Sequence, residues 1–188
     1  MSTHLRAFIA FAFFGLGITG SCFAAPYKFD TRNADVRFAY SLPFSTGRGR
    51  FTGVTGTAEI NDAVPAKGSV DVVIDTRTLK ASDSLAEGEL RGSSFFSVAK
   101  FPTMHFKSRS IRGTSPTTYE ITGDMTVKGV TRPILLYVDL QAPGGPGGVR
   151  QMRATTRIRR SEFNMDAYAF LVSDTVQIEI RSPLVPAH

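Results

Sequence analysis

Residues Gly123 to Pro133, GDMTVKGVTRP, decide how this chain folds. Met125 and Val127 alternate with Asp124, Thr126 and Lys128, the period of a strand with one buried face. Lys128-Gly129 then breaks the run, because glycine takes the positive φ that a tight turn needs. Thr131, Arg132 and Pro133 restart the chain in extended form and lead into ILLYVDL, Ile134 to Leu140. The segment reads as strand, tight turn, strand. It carries no group suited to catalysis, which tilts the reading towards binding.

The same alternation recurs on both sides of this stretch. Val36, Phe38 and Tyr40 alternate with Arg37, Ala39 and Ser41; Val70, Val72 and Ile74 with Asp71, Val73 and Asp75; Met104 and Phe106 with His105 and Lys107. Tyr119, Ile121, Gly123, Met125 and Val127 form the longest run, and Ile134, Leu136, Val138 and Leu140 continue it. Met152, Ala154, Thr156 and Ile158 alternate with Arg153, Thr155, Arg157 and Arg159, and Val176, Ile178 and Ile180 with Gln177 and Glu179. Many short strands separated by Gly, Pro, Asn and Asp predict an all-β antiparallel barrel or sandwich. Ser82 to Phe96 lacks alternation and predicts one or two short helices over a barrel mouth or side, capped by Ser82 or Asp83 and stopped by Gly92.

The chain has 188 residues, the length of one domain. Residues 1–24 have the three-part pattern of a secretory signal peptide: a weakly basic start at His4 and Arg6, an apolar run from Ala7 to Ile18, and small residues up to Ala24. The apolar run is shorter than the roughly 20 residues of a bilayer span. Cleavage after Ala24 would leave domain 25–188 and an exported, periplasmic protein. Cys22, the one cysteine, offers the alternative of a lipoprotein anchor. With Cys22 removed, disulfides and thiolate metal sites are excluded, and about 160 residues are enough to hold a core without them.

The net charge is +6. The cations are scattered along the strands, with one denser run at Arg153, Arg157, Arg159 and Arg160. A nucleic-acid surface would call for a clustered basic face with stacking aromatics, so no nucleic-acid partner is expected. Attraction to anionic lipid surfaces or phosphorylated head groups fits the charge better. Enzyme chemistry lacks its groups: His105 falls at an outward strand position, His188 is terminal, and no spacing suggests a metal site or a phosphate loop. No catalytic residue, metal or cofactor is expected.

The sequence contains 15 phenylalanines and no tryptophan. A barrel of about eight strands can be filled by its own side chains or can hold one ligand. If hollow, its lining would be phenylalanine, methionine, valine and isoleucine, suited to a long hydrocarbon at about 0.8 kcal/mol per buried methylene. Gly123 and Ala154 would leave room in it. The candidate ligand-binding residues are Phe38, Tyr40, Phe51, Phe95, Phe96, Phe101, Met104, Phe106, Ile121, Met125 and Phe163, with Arg160 for a head group.

Together the segments from Tyr27 to about Ile180 resemble the YceI-like family of exported polyisoprenoid-binding proteins. YKFD at Tyr27 to Asp30 resembles the opening strand of the family, and GRFTG at Gly49 to Gly53 its second-strand motif. Phe95-Phe96, Lys100-Phe101-Pro102 and Phe106-Lys107-Ser108 are similar to its aromatic signature. Gly123 to Pro133 follows its strand-turn-strand segment with Met125 in place of leucine, and Arg160 to Phe163 resembles its late motif with Asn164 in place of glycine. The resemblance implies an extended lipocalin-like antiparallel barrel holding a polyprenyl chain, a quinone tail or an isoprenoid phosphate, for carriage, storage or stress protection. The polar mouth departs from the family: Asn33 and Leu42 stand where histidine is frequent, and AEGEL, Ala86 to Leu90, replaces a motif containing histidine. The competing expectation is a stress or interaction module with a packed core. Transient membrane contact, and a homodimer through an open strand edge, are also expected.

Overall fold

Alternation along each strand becomes, in the computed structural model, the two faces of one curved sheet. The structure describes residues 24–145 and 148–187; residues 1–23 of the expected signal peptide, Cys22 among them, and His188 lie outside the described residues. The strands are β1 (Ala25–Phe29), β2 (Asp35–Leu42), β3 (Ser45–Phe51), β4 (Gly53–Ile60), β5 (Ser69–Asp75), β6 (Lys80–Ala81), β7 (Thr103–Gly113), β8 (Thr118–Val127), β9 (Val130–Leu140), β10 (Arg150–Arg159) and β11 (Thr175–Pro186), with one helix, α1 (Ser84–Arg91).

Register explains how these segments make a closed barrel of eight staves. β1 and β2 lie end to end along one edge of β11: Phe29 pairs Leu184, and Val36 to Tyr40 pair Ile180 to Val176. β3 pairs β2 while β4 pairs β1, so these two form the next stave, interrupted at Thr52. β5 pairs β4 and β6 pairs β3, which makes a third. β7, β8, β9, β10 and β11 complete the circle, every pairing antiparallel. Closure removes most strand edges but leaves an edge where β9 and β10 part, at residues 130–136 and 156–159.

The β8–β9 turn is as the sequence implies. Lys128 and Gly129 have φ of 51° and 76°, the two successive positive values of the two-residue turn that matches strand twist. The ring of Phe101 packs so close to Gly129 that a Cβ there would lie 2.9 Å from it. Asp83 caps α1, its Oδ1 accepting from the Ala86 N–H at 2.8 Å, and Gly92 ends the helix.

One end of the barrel is roofed. α1, the turns from 92 to 102 and the returning loop 164–174 all lie there, beside the β2–β3 hairpin tip. The amide of Ser173 donates to the Ser41 carbonyl at 3.0 Å, and the Tyr168 hydroxyl donates to Glu89 of α1 at 3.2 Å. β9 and β10 pair only between Tyr137–Leu140 and Met152–Thr155 and then part. The 3-10 turn Arg160–Phe163 packs against β9 there, and Lys128 Nζ donates to the Asn164 carbonyl at 2.6 Å.

Candidate functional site

The inward faces do not meet. A cavity of about 170 Å³ runs between them, lined from Asn61, Pro65 and Tyr119 at the far end to Tyr40, Leu90, Phe96 and Val172 under the roof. Packed interiors hold few voids larger than a water molecule, and a water needs only about 10–15 Å³ of such space. The lumen is therefore hollow, with a surface of hydrocarbon almost throughout.

Glycine keeps it open. Phe38 and Tyr40 of β2 stand opposite Gly49 and Gly47 of β3, and the far end of each ring occupies the space where its glycine's Cβ would be. A Cβ at Gly49 would sit 2.3 Å from the Phe38 ring, and one at Gly47 would sit 2.2 Å from that of Tyr40. Phe106 does the same on Gly123, where a Cβ would meet the ring at 2.5 Å and the Lys107 carbonyl at 2.5 Å. Aromatic rings over strand glycines restore the contacts that the missing side chains forgo, and the space left by each glycine is space that its ring takes up at the wall. Gly123 thus makes space for Phe106. Ala154, buried, is a wall position without bulk.

Among the sequence-predicted site residues, Phe38, Tyr40, Phe51, Phe95, Phe96, Met104, Phe106, Ile121, Met125 and Arg160 line the cavity. Phe38, Phe51 and Phe96 pack as a cluster, with centroids 5.2–5.7 Å apart. Burial pushes the Tyr40 hydroxyl above its usual pKa, with Asp83 adding to the shift. Phe101 and Phe163 are corrections: the structure places both outside the lining. Phe101 packs on the Gly129 turn under Lys100, and Phe163 is fully buried in the 3-10 turn behind the wall. Both are aromatic positions in turns, where alternation says nothing about direction.

Arg160 is placed differently from the head-group role expected of it. It is 4% exposed. Its Nε donates to the Ser173 carbonyl at 3.0 Å, Nη1 to those of Ala167 at 2.7 Å and of Met165, and Nη2 to that of Val172 at 2.9 Å. A guanidinium has five N–H donors, so four are committed to carbonyls of the roof loop. Its face lies 6.0 Å from the Phe95 centroid. Asp174 is held below the usual carboxylate range: burial pushes it up, but hydrogen bonds from Ser161 and the nearby Arg160 charge outweigh this.

A second buried arginine stands at the far end. Arg150, 3% exposed, donates to both Asp62 oxygens at 2.8 and 3.0 Å and to the Gln141 carbonyl at 2.9 Å. Tyr119 bonds the same carboxylate at 3.3 Å. This group, absent from the sequence reading, joins the loops at that end. His105 lies on the outer wall, 2.7 Å from Asp71. Asn33 is exposed and donates to Asp30 at 2.7 Å, away from the lining. Among the described residues no three His, Cys, Asp or Glu side chains cluster as a metal site would require.

The lining residues that sequence reasoning passed over are mostly aliphatic: Val36, Val54, Ile74, Leu136 and Ile178, with Leu90 from α1. Their signal was the strand alternation itself. Gly47 and Gly49 had a fainter one, two glycines facing two aromatics across a hairpin.

Comparison with known proteins gives one consistent result. Residues 27–183 match the model of the YceI-like domain. Protein YceI of Salmonella newport is 32% identical over 168 residues, covering 86% of this chain and 87% of that protein. The crystal structure of Burkholderia cenocepacia BcnA superposes with a TM-score of 0.76 at 22% identity, over 82% of this chain and 98% of that one. A polyisoprenoid binding domain from Saccharophagus degradans, implicated in plant cell wall breakdown, gives a TM-score of 0.65 at 13% identity, over 87% of this chain and 99% of that domain.

Proposed function

The chain belongs to the YceI-like family, and on that premise we propose that it is a binding protein that holds one long isoprenoid lipid inside its barrel. The ligand class is a polyprenyl chain, a quinone tail or an isoprenoid phosphate, and the role is carriage, storage or protection in the periplasm. No reaction is assigned to it.

The observation that carries this reading is the hollow hydrocarbon lumen, about 170 Å³, whose lining residues come from both ends of the barrel. A branched hydrocarbon chain suits its chemistry on three counts, although at about 170 Å³ the lumen is close to the roughly 150 Å³ that accepts one benzene, so a long chain fits only as the walls part to admit it. The lining has almost no polar surface to satisfy, the three ring-on-glycine shelves widen it along its length, and each methylene moved from water contributes about 0.8 kcal/mol. The polyisoprenoid binding domain of the same fold supports the choice of lipid. A packed-core interaction module would have no use for such a void, whose cost in lost dispersion contacts nothing would offset.

The test is organic extraction and mass spectrometry of protein purified without detergent, followed by titration of the delipidated barrel with a quinone bearing a polyprenyl tail. Recovery of a polyprenyl lipid and saturable binding at one site are expected. Protein that never yields lipid, and that fails to bind the quinone after delipidation, would overturn the reading.

A further inference from the structure

The outer wall beside the roof carries a charge pattern that the barrel does not need. Arg37 of β2 pairs in register with Arg50 of β3, and Arg50 with Lys80 of β6. Like charges directly opposite on a sheet are destabilising, and here three stand in a row, the outer two each paired with one carboxylate, Arg37 with Asp35 at 2.6 Å and Lys80 with Glu87 at 3.3 Å, and Arg50 with none among the described residues. Arg48 and Arg157 lie one register step nearer the roof. These cations line a large cleft on the outside of β10, β11, β2, β3 and β6, in which Glu179 is the one carboxylate. Among the described residues, Arg48, Arg50 and Arg157 are exposed and have no carboxylate partner.

The roof itself ends in bare apolar side chains. Phe44 at the β2–β3 hairpin tip is fully exposed, Phe170 of the roof loop is 82% exposed, and Leu85 of α1 is 77% exposed. Leu171 stands beside Phe170, 45% exposed. The segments are tied to one end by the Ser41–Ser173 and Tyr168–Glu89 hydrogen bonds. Scattered apolar surface residues are ordinary, but these project from three separate segments at one end of the molecule, above a basic wall in which Arg48, Arg50 and Arg157 stand without a carboxylate partner among the described residues.

We propose that this end docks on an anionic lipid bilayer, with Phe44, Leu85, Phe170 and Leu171 entering the interface and Arg48 and Arg157 meeting lipid phosphates. The dimensions agree. Arg48 is the fourth residue of β3 and Phe44 the turn residue just before that strand, a separation of at most about 13 Å at strand rise and about 10 Å in height after barrel tilt. Interfacial side chains bury about 5–10 Å deep, so the arginine lies at head-group level when the phenylalanine is inserted. Arg37, Arg50 and Lys80 follow behind, nearly within the Debye length of about 8–10 Å from that layer. An acidic protein would satisfy the cations but leave the four apolar tips in water, which is why the bilayer is favoured. The docked pose sets the roof of the lumen on the membrane. It requires nothing of what fills the lumen, so it stands or falls separately from the lipid-holding role.

Flotation with vesicles tests it, using phosphatidylglycerol–phosphatidylcholine mixtures against phosphatidylcholine alone, both free of polyprenyl lipid. Binding to the anionic vesicles only is expected, weakened at least tenfold by molar salt. The F44S/F170S double variant should lose at least tenfold. R48E/R157E should lose more than the roughly fivefold per cation that neutralisation alone removes. All altered side chains are exposed, so unchanged thermal unfolding serves as the folding control. Absence of binding to anionic vesicles overturns the proposal, including the case in which an acidic protein binds instead. So does vesicle binding that survives either double variant, since electrostatic adhesion without the apolar tips is not this docked state.

Discussion

Gly49→Ala is the sharpest probe of how the lumen is kept open. The new Cβ would lie 2.3 Å from the Phe38 ring, whereas carbon atoms rest at about 3.5–4.0 Å. The ring must withdraw by at least about 1.2 Å. Tyr40 stacks at 6.4 Å, Phe51 at 5.6 Å and Phe96 meets its face at 5.7 Å, so its neighbours and the β2 backbone block the other directions and it moves into the lumen. Overpacking a filled core costs about 1–3 kcal/mol. Here the ring has space to enter, and replacing glycine returns about 0.4–1 kcal/mol through the unfolded chain. The net loss should be about 1 kcal/mol, a Tm lower by about 2–4 °C. Binding should suffer more. Displacing two or three methylenes of a chain removes about 1.6–2.4 kcal/mol, or roughly 15–60-fold in affinity. Titration of delipidated protein with a polyprenyl quinone, beside calorimetric unfolding, measures both. Adding Phe38→Leu should restore affinity, because the smaller side chain clears the methyl group, and the double-mutant cycle would show positive coupling. If Gly49→Ala binds within twofold of the parent, the ring either does not enter the lumen or the lipid does not lie there, and the shelf argument fails.

Three further outcomes follow from the buried and paired charges. Arg160→Met keeps volume but leaves four roof carbonyls without their donor, and should cost about 3–5 kcal/mol in urea unfolding; a loss under about 1 kcal/mol would show that the clamp does not hold the loop. Asp62→Asn strips buried Arg150 of its counter-charge. Because Asp62 is itself solvent-exposed, the expected loss is about 1–2 kcal/mol rather than that of a fully buried pair, and no shift in urea midpoint would refute it. Glu179 is held below the usual carboxylate range by hydrogen bonds from Arg153 and Arg181. Its folded pKa is depressed, so its contribution is present above the ordinary value of 4.5 and is lost as pH falls through the folded value. Glu179→Gln should thus be less stable at pH 7 by under about 1 kcal/mol, with the gap to the parent closing in acid; a gap independent of pH would contradict this.

Much of the barrel was legible because side-chain direction in a strand has period two. Met125, Ile121, Phe106 and Phe38 alternate with polar residues, and nothing beyond the chain itself was needed to send them to one face. The Lys128-Gly129 turn was legible for a similar reason, since its conformation is set locally by φ. Phe101 and Phe163 were not, because both sit in turns where direction is decided by what the chain returns to meet. Arg160 shows the limit most clearly. Its sequence context reads as one more cation in a basic run, while its four acceptors belong to residues 165 to 173, brought back over it by the β11 pairing.

What the sequence alone determined is the inward or outward sense of each strand residue, the positions of the turns, and the family. Tertiary structure decided that the lumen is hollow, because that depends on register. The Phe38 ring can sit this close to β3 only when Gly49 is the residue directly across from it, and a slip of one position would face it with a side chain. Gathering Arg37, Arg50, Arg48 and Arg157 into one basic wall likewise depends on register, since these residues are far apart in sequence and meet only when β3, β2, β11 and β10 align.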